Sequence, residues 1–176
     1  MRHLLGLGIL ALAAACSNIL LTNGELADLK IQAGRPLPDV RFVDENGLPQ
    51  SLLAVVAKQP ALIGFAADTD PNFNVYSGRL RDNAMLKGVR VIQVVYLKGG
   101  MPAGFSRNKD PRLCPLGDLI SVCDPKGILR RELGIGESNL FVAVDRGGIV
   151  RQIGRLEDGA ATSDAVDKII AVESKK

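Results

Sequence analysis

The chain has 176 residues, 47% hydrophobic and 23% charged, with 22 Lys and Arg against 19 Asp and Glu for a net charge of +3. That composition excludes a disordered or fibrous protein and leaves one globular domain with a sizeable core behind whatever the N-terminus is. Basic residues are dispersed, their densest groups (107–112 and Arg130-Arg131) are diluted by acids, and with no Trp, two Tyr and five Phe there is no stacking platform, so no nucleic-acid partner is expected.

Residues 1–15 open with a positive charge at Arg2, continue with an apolar stretch over 4–12, and end in Ala13-Ala14-Ala15 before Cys16. This is the layout of a signal peptide, too short in its apolar part to be read as a membrane span. The Ala-Ala-Ala-Cys junction resembles the bacterial lipobox, which implies diacylation of Cys16; a plain cleaved signal and an uncleaved anchor are the alternatives. A lipid at Cys16 would hold the domain at a membrane, with residues 16–33 as a tether carrying a short helix around 20–29. Ser17 after the Cys resembles an outer-membrane sorting pattern for a Gram-negative cell. The expected location is therefore the periplasm or cell surface, with the membrane as one partner and an envelope protein as another.

The domain proper is expected over 34–176. Residues 40–43 alternate like a half-buried strand, and Glu45-Asn46-Gly47 supplies a turn. Ser51 can cap a short helix over 52–58 that stops before Pro60. Residues 61–66 (ALIGFA) form a buried strand that runs directly into Asp68-Thr69-Asp70-Pro71-Asn72, where Asp and Asn are capping residues and Pro suits a first helical turn. A helix to about residue 87 follows, with Tyr76, Leu80 and Ala84 on one face. Residues 89–96 (VRVIQVVY) are a strand covered on both sides, 97–113 a long loop and 119–123 a short strand. A helix over 128–133 follows, then a hairpin of 141–144 and 149–153 around Asp145-Arg146-Gly147-Gly148. Thr162-Ser163-Asp164 should cap a last amphipathic helix. The central alternation implies parallel strands, and the hairpin adds antiparallel edge strands.

A strand that meets a helix N-terminus is where α/β proteins commonly place a reacting group or bind an anion. Here that place holds two carboxylates and no Cys, Ser, His or Lys.

Three stretches resemble the thioredoxin-like redoxin group, which includes membrane-tethered thiol–disulfide oxidoreductases of bacterial envelopes and the peroxiredoxins. Gly34-Arg35-Pro36-Leu37-Pro38-Asp39-Val40, with Asp44-Glu45-Asn46-Gly47 and Ser51-Leu52, is similar to the group's opening. Asp124-Pro125-Lys126-Gly127 with Leu133-Gly134-Ile135, and the run from Phe141 to Val150, are similar to two later segments. The resemblance covers about residues 34–173 and implies a thioredoxin-like three-layer α/β/α sandwich with a mixed central sheet. It places the group's F-W-A-x-W-C-x-x-C on residues 65–73, so Asp70 stands for the attacking Cys and Phe73 for the resolving one. Asn139 falls near the group's cis-proline. The resemblance thus implies a vacated redox site over Asp68, Thr69, Asp70, Pro71, Asn72, Phe73 and Asn139, with no catalytic residue there.

The plain reading of Asp68, Thr69 and Asp70 is helix capping, worth about 1 kcal/mol for a good cap. The sharper one is a cation or acid–base site shared with Asp39 or Asp44, but two spaced acids are not a ligand set. No cofactor and no metal are expected. If Cys16 is lipidated, Cys114 and Cys123 remain as an even pair, whose disulfide would contribute about 2.5–3 kcal/mol by closing ten residues. Two free thiols, or a redox-active pair, are the alternatives. The only histidine, His3, lies in the signal segment, which leaves the mature domain without Cys–His, Ser–His or His–metal chemistry. Asp118, Glu132 and the Arg130-Arg131 pair are read as solvated surface. The leading expectation is a binding or assembly domain without thiol catalysis; the alternative is a divergent oxidoreductase that uses Cys114 and Cys123.

Overall fold

The structure, a computed structural model, describes residues 28–43, 48–56, 59–84, 87–100, 120–136 and 139–175. Its centre is β3 (Ala61–Ala67) and β4 (Arg90–Tyr96), two seven-residue strands paired in parallel, with Ala61 opposite Arg90 and Ala67 opposite Tyr96. β5 (Ile120–Asp124) adds in parallel on the far side of β4. β6 (Leu140–Val144) adds antiparallel to β3, and β7 (Val150–Arg155) antiparallel to β6. The order is β5-β4-β3-β6-β7, so the sheet is mixed as expected, although only β7 of the hairpin is an edge. The central strands read as continuous β-branched and apolar runs because both of their faces are covered.

Along β4 the side chains alternate between two cores. Val91 and Val95 join Leu62, Ala66, Phe73, Tyr76, Leu80, Phe141, Val166 and Ile169, under α2 (Phe73–Ala84) and α4 (Gly159–Glu173). Ile92 and Val94 join Ile63, Phe65, Leu129, Leu133, Leu52, Val56 and Phe42 on the other face. That face is covered by α3 (Ile128–Leu133), α1 (Leu52–Val56) and a separate two-stranded antiparallel sheet, β1 (Arg41–Val43) with β2 (Pro49–Ser51). The result is a three-layer α/β/α sandwich. α2 approaches β3 closely because position 64 is glycine: a Cβ there would lie 2.4 Å from Leu80 Cδ1.

The described chain begins on the α3 side. Lys30 N–H donates to the Leu133 carbonyl (3.0 Å), and Leu29 and Ile31 are buried in that core. The approach depends on Gly134, whose φ of +70° closes α3 and whose missing Cβ would sit 1.7 Å from the Asp28 carbonyl oxygen.

Several expectations change. Residues 49–51 pair with β1 as β2 rather than only leading into the helix; Ser51 still caps α1 by accepting the Ala54 N–H (3.2 Å), and its hydroxyl donates to the Asp39 carboxylate. The last helix starts at Gly159, capped by Asp158 accepting from Ala161 N–H at 2.9 Å, not at 162–164; Thr162 is already buried inside it. Asp28 and Leu29 are not helical, while the rest of the tether expectation lies outside the described residues. Arg130 is not solvated surface: it is 4% exposed, its Nη1 donates to the Gly136 carbonyl (2.8 Å), and its guanidinium lies 5.5 Å from the Tyr96 ring centroid. Glu132 and Arg131 are exposed as expected, whereas Asp118 lies outside the described residues. No described helix is long and apolar enough to cross a membrane.

Candidate functional site

The C-terminal ends of β3 and β4 and the N-terminal end of β6 meet at one edge of the sheet. β3 leaves that edge through Asp68, whose N–H donates to the Tyr96 carbonyl (3.0 Å) and whose carboxylate accepts the Lys98 N–H (3.1 Å). Asp68 therefore ties together the loops after two adjacent strands. Thr69, Pro71 and Asn72 are exposed around it.

Asp70 sits three residues ahead of Phe73, where the helix proper begins. Its Oδ1 accepts the Asn72 N–H at 2.7 Å, a side-chain turn that satisfies one of the free amides preceding α2, and its carbonyl accepts from Phe73 N–H at 3.1 Å. Its Oδ2 accepts the side-chain amide of Asn139, 69 residues further on. Asn139 is fixed in turn through its own carbonyl, which accepts the Leu156 N–H (3.2 Å). The structure thus brings Asp70, Asn72 and Asn139 together, across the junction of β3–α2 with β6. Asn139 Oδ1 is buried and without a hydrogen-bond partner.

Phe73 is part of the core rather than of the surface: it is 7% exposed and packs with Tyr76 and Leu80. Tyr76, buried one turn on, has its phenol pushed up, first by burial and then by the negative charges of Glu157 and Asp70; the Asn72 side chain and Arg79 offset part of this. Arg79 clamps the other flank by donating to the Glu157 carbonyl (2.9 Å).

Behind this edge lies a buried polar group that sequence reading missed. Asp124 is 2% exposed; its Oδ1 accepts the Ile128 N–H (2.7 Å) and its Oδ2 the Arg130 N–H (3.3 Å), so it caps α3 from the end of β5. Burial pushes its carboxyl up, and the N–H groups of Arg130, Ile128 and Leu129 with the Arg130 charge pull it partly back. The available signal was Asp followed three residues later by Gly, a turn whose carboxylate can bond its own following amides.

Chemically, the edge offers carboxylate and amide oxygens and no nucleophile–base pair. A thiol at position 70 would be activated by the helix N-terminus; a carboxylate there receives the same hydrogen bond but cannot exchange disulfides. Asp39 is not part of the cluster, since it accepts from Ser51 Oγ and Leu53 N–H at α1, and Asp44 lies outside the described residues. Among the described residues no group of three or more His, Cys, Asp and Glu is placed to hold a metal ion.

Cys123 is fully buried in β5, in register beside Val95, and is disulfide-bonded. Two strand spacings separate it from β3, about 10 Å, so it is not at the Asp70 edge. Its bonded partner lies outside the described residues, as do Cys16 and Cys114.

No protein-family model matches the chain, and no curated protein matches it in sequence. Solved structures do. A protein assigned as thiol:disulfide interchange protein DsbE from Chlorobium tepidum superposes with a TM-score of 0.60 at 18% identity, covering 80% of this chain and 99% of that one. Peroxidoxin BcpB from Mycobacterium tuberculosis gives 0.55 at 16% identity, with 82% and 97% covered. The pneumococcal exposed lipoprotein thioredoxin Etrx1 from Streptococcus pneumoniae gives 0.52 at 16% identity, with 74% and 98% covered. At these identities the likeness establishes architecture, and that architecture is the thioredoxin-like redoxin fold.

Proposed function

We propose, from the premise of a thioredoxin-like redoxin fold, that this chain is an exported domain anchored through a lipid on Cys16. In this reading it binds or assembles with a protein of the cell envelope and does not catalyse thiol–disulfide exchange or peroxide reduction. The observation that carries the reading is the occupant of the helix tip: an Asp70 carboxylate engaged by Asn72 and Asn139, with Phe73 committed to the core. Neither position can carry electrons. The location draws on the Cys16 junction and on neighbours whose names are those of an interchange protein and an exposed lipoprotein.

The alternative, exchange through Cys114 and Cys123, would have to proceed by attack at the Cys114 sulfur, because Cys123 is fully buried. Two assays test the reading on the full chain. Radiolabelled palmitate should enter the wild-type protein and not the Cys16→Ser variant. Reduction of a disulfide substrate should proceed no faster with the protein than with dithiothreitol alone. Labelling that survives Cys16→Ser, or turnover lost in Cys114→Ser, overturns it.

A further inference from the structure

We infer that the α1/α3 layer is a docking face for an anionic lipid bilayer, with Val43, Leu48 and Leu53 entering the interface and Lys30, Arg41 and Lys126 meeting the headgroups. The bilayer as occupant rests on the envelope location proposed above; the face itself is built from described residues alone. Among those residues five large hydrophobic side chains are exposed, and Val43 (44%), Leu48 (56%) and Leu53 (38%) are three of them, within one β1–β2–α1 unit. Each is turned outward by the element that carries it. Phe42 faces the core, so its neighbour Val43 in β1 faces away. Leu52 and Val56 mark the buried side of α1, which leaves Leu53 on the outer one, and Leu48 stands immediately before β2. Phe42, Leu52 and Val56 fix the unit to the core.

The charges divide by layer. On the α2/α4 side Lys87 and Arg146 are matched by Asp167 and Glu173, and Arg81 lies beside Asp82. Lys30, Arg41 and Lys126 on the other side are exposed and make no ion pair among the described residues. Arg41 shares the outer face of β1 with Val43, Lys30 lies between the buried Leu29 and Ile31, and Lys126 is in the turn before α3. Of the exposed acids there, Asp39 accepts from Ser51 Oγ and Leu53 N–H and Glu132 faces Arg131, which leaves Asp28 against three cations. Exposed apolar side chains among uncompensated cations are the chemistry of an interfacial membrane site. An acidic protein would also meet the cations, but the start of the described chain favours lipid. The Asp28 carbonyl lies against Gly134 in this layer, so the segment leading back to the apolar stretch 4–12 departs from this face. On the anchored reading that segment reaches Cys16 within about 40 Å fully extended, which keeps the bilayer within range of the same face.

The chain contains no Trp, so an indole introduced at one position is its only one. Full-length Leu48→Trp is mixed with vesicles of equimolar phosphatidylcholine and phosphatidylglycerol, and with the same vesicles carrying brominated acyl chains. Val75→Trp, at a position 49% exposed on α2 in the opposite layer, is the control. The Leu48→Trp emission should shift to shorter wavelength and be quenched by the brominated chains, and the Val75→Trp emission should do neither. Arg41→Gln in the Leu48→Trp chain should weaken vesicle binding about fivefold. An indole at residue 48 that stays in water, equal quenching at both positions, or an affinity indifferent to Arg41 overturns the inference. Palmitate labelling of the same preparations separates it from the anchor: quenching at residue 48 in a chain that takes up no palmitate keeps the docking face and removes the lipid on Cys16.

Discussion

Replacing Asp70 by cysteine asks whether this helix tip can activate a thiol. The Asp70 Oδ1 accepts an amide hydrogen from Asn72 at 2.7 Å, and a thiolate at the same position inherits that bond together with the positive end of the α2 dipole. The dipole is worth about 0.3–1 kcal/mol to an anion near a helix N-terminus, and a charge-assisted hydrogen bond about 1.5–3 kcal/mol. Asp68 and Glu157 beside the edge oppose them, which leaves a net of about 2–3 kcal/mol. At about 1.36 kcal/mol for each unit, the thiol introduced by Asp70→Cys falls from an ordinary value of about 8.5 to about 6.3–7. The assay is the pH dependence of thiolate ultraviolet absorbance, with the wild-type curve subtracted; wild-type Cys123 is disulfide-bonded and silent. A thiol titrating at or above its ordinary value would refute the reasoning, because residue 70 would then not occupy an activating tip.

Three further outcomes follow from particular contacts. Gln93 is 1% exposed in β4 with neither amide atom hydrogen-bonded, so Gln93→Leu should stabilise the fold by about 1–3 kcal/mol in urea unfolding; destabilisation would contradict this. Gly134→Ala meets both a left-handed backbone and the Asp28 carbonyl, and should cost about 3 kcal/mol or more in thermal unfolding; a neutral result would mean that the N-terminal segment does not lie there. Asp145, 1% exposed, is raised by burial but more strongly lowered by the Ile149 N–H, the Arg151 guanidinium and the Gly147 N–H. A depressed carboxyl contributes stability that is complete above its unfolded value and is lost as pH falls through the folded one, so the wild type should weaken below about pH 4. Asp145→Asn should flatten that slope; an unchanged slope would assign it elsewhere. Asp124, raised, acts oppositely, costing stability as pH rises through the carboxyl range, so the two signatures separate.

Legibility in the sequence tracks the range of the interaction. Residues 61–66 and 89–96 announce buried strands through unbroken apolar and β-branched runs, and the Asp145–Gly148 turn announces a hairpin. These are local signals. The start of α4 is hidden because Gly159-Ala160-Ala161 resembles a loop, while the deciding fact is one hydrogen bond from Ala161 to Asp158. Arg130 reads as surface because its partners, the Tyr96 ring and the Gly136 carbonyl, come from a strand and a turn that no helical period connects. At the helix tip the residue types are legible, but the bond between Asp70 and Asn139 depends on β6 inserting beside β3, a matter of topology.

The central claim is that oxygen at residue 70 and an aromatic ring at residue 73 leave the tip unable to pass electrons. Its most direct test compares the wild type with the double variant Asp70→Cys, Phe73→Cys in the dithiothreitol-driven reduction of a disulfide-linked substrate. The wild type should run at the uncatalysed rate and the double variant above it. Wild-type catalysis that persists in Cys114→Ser, and so does not run through that cysteine, would contradict the claim.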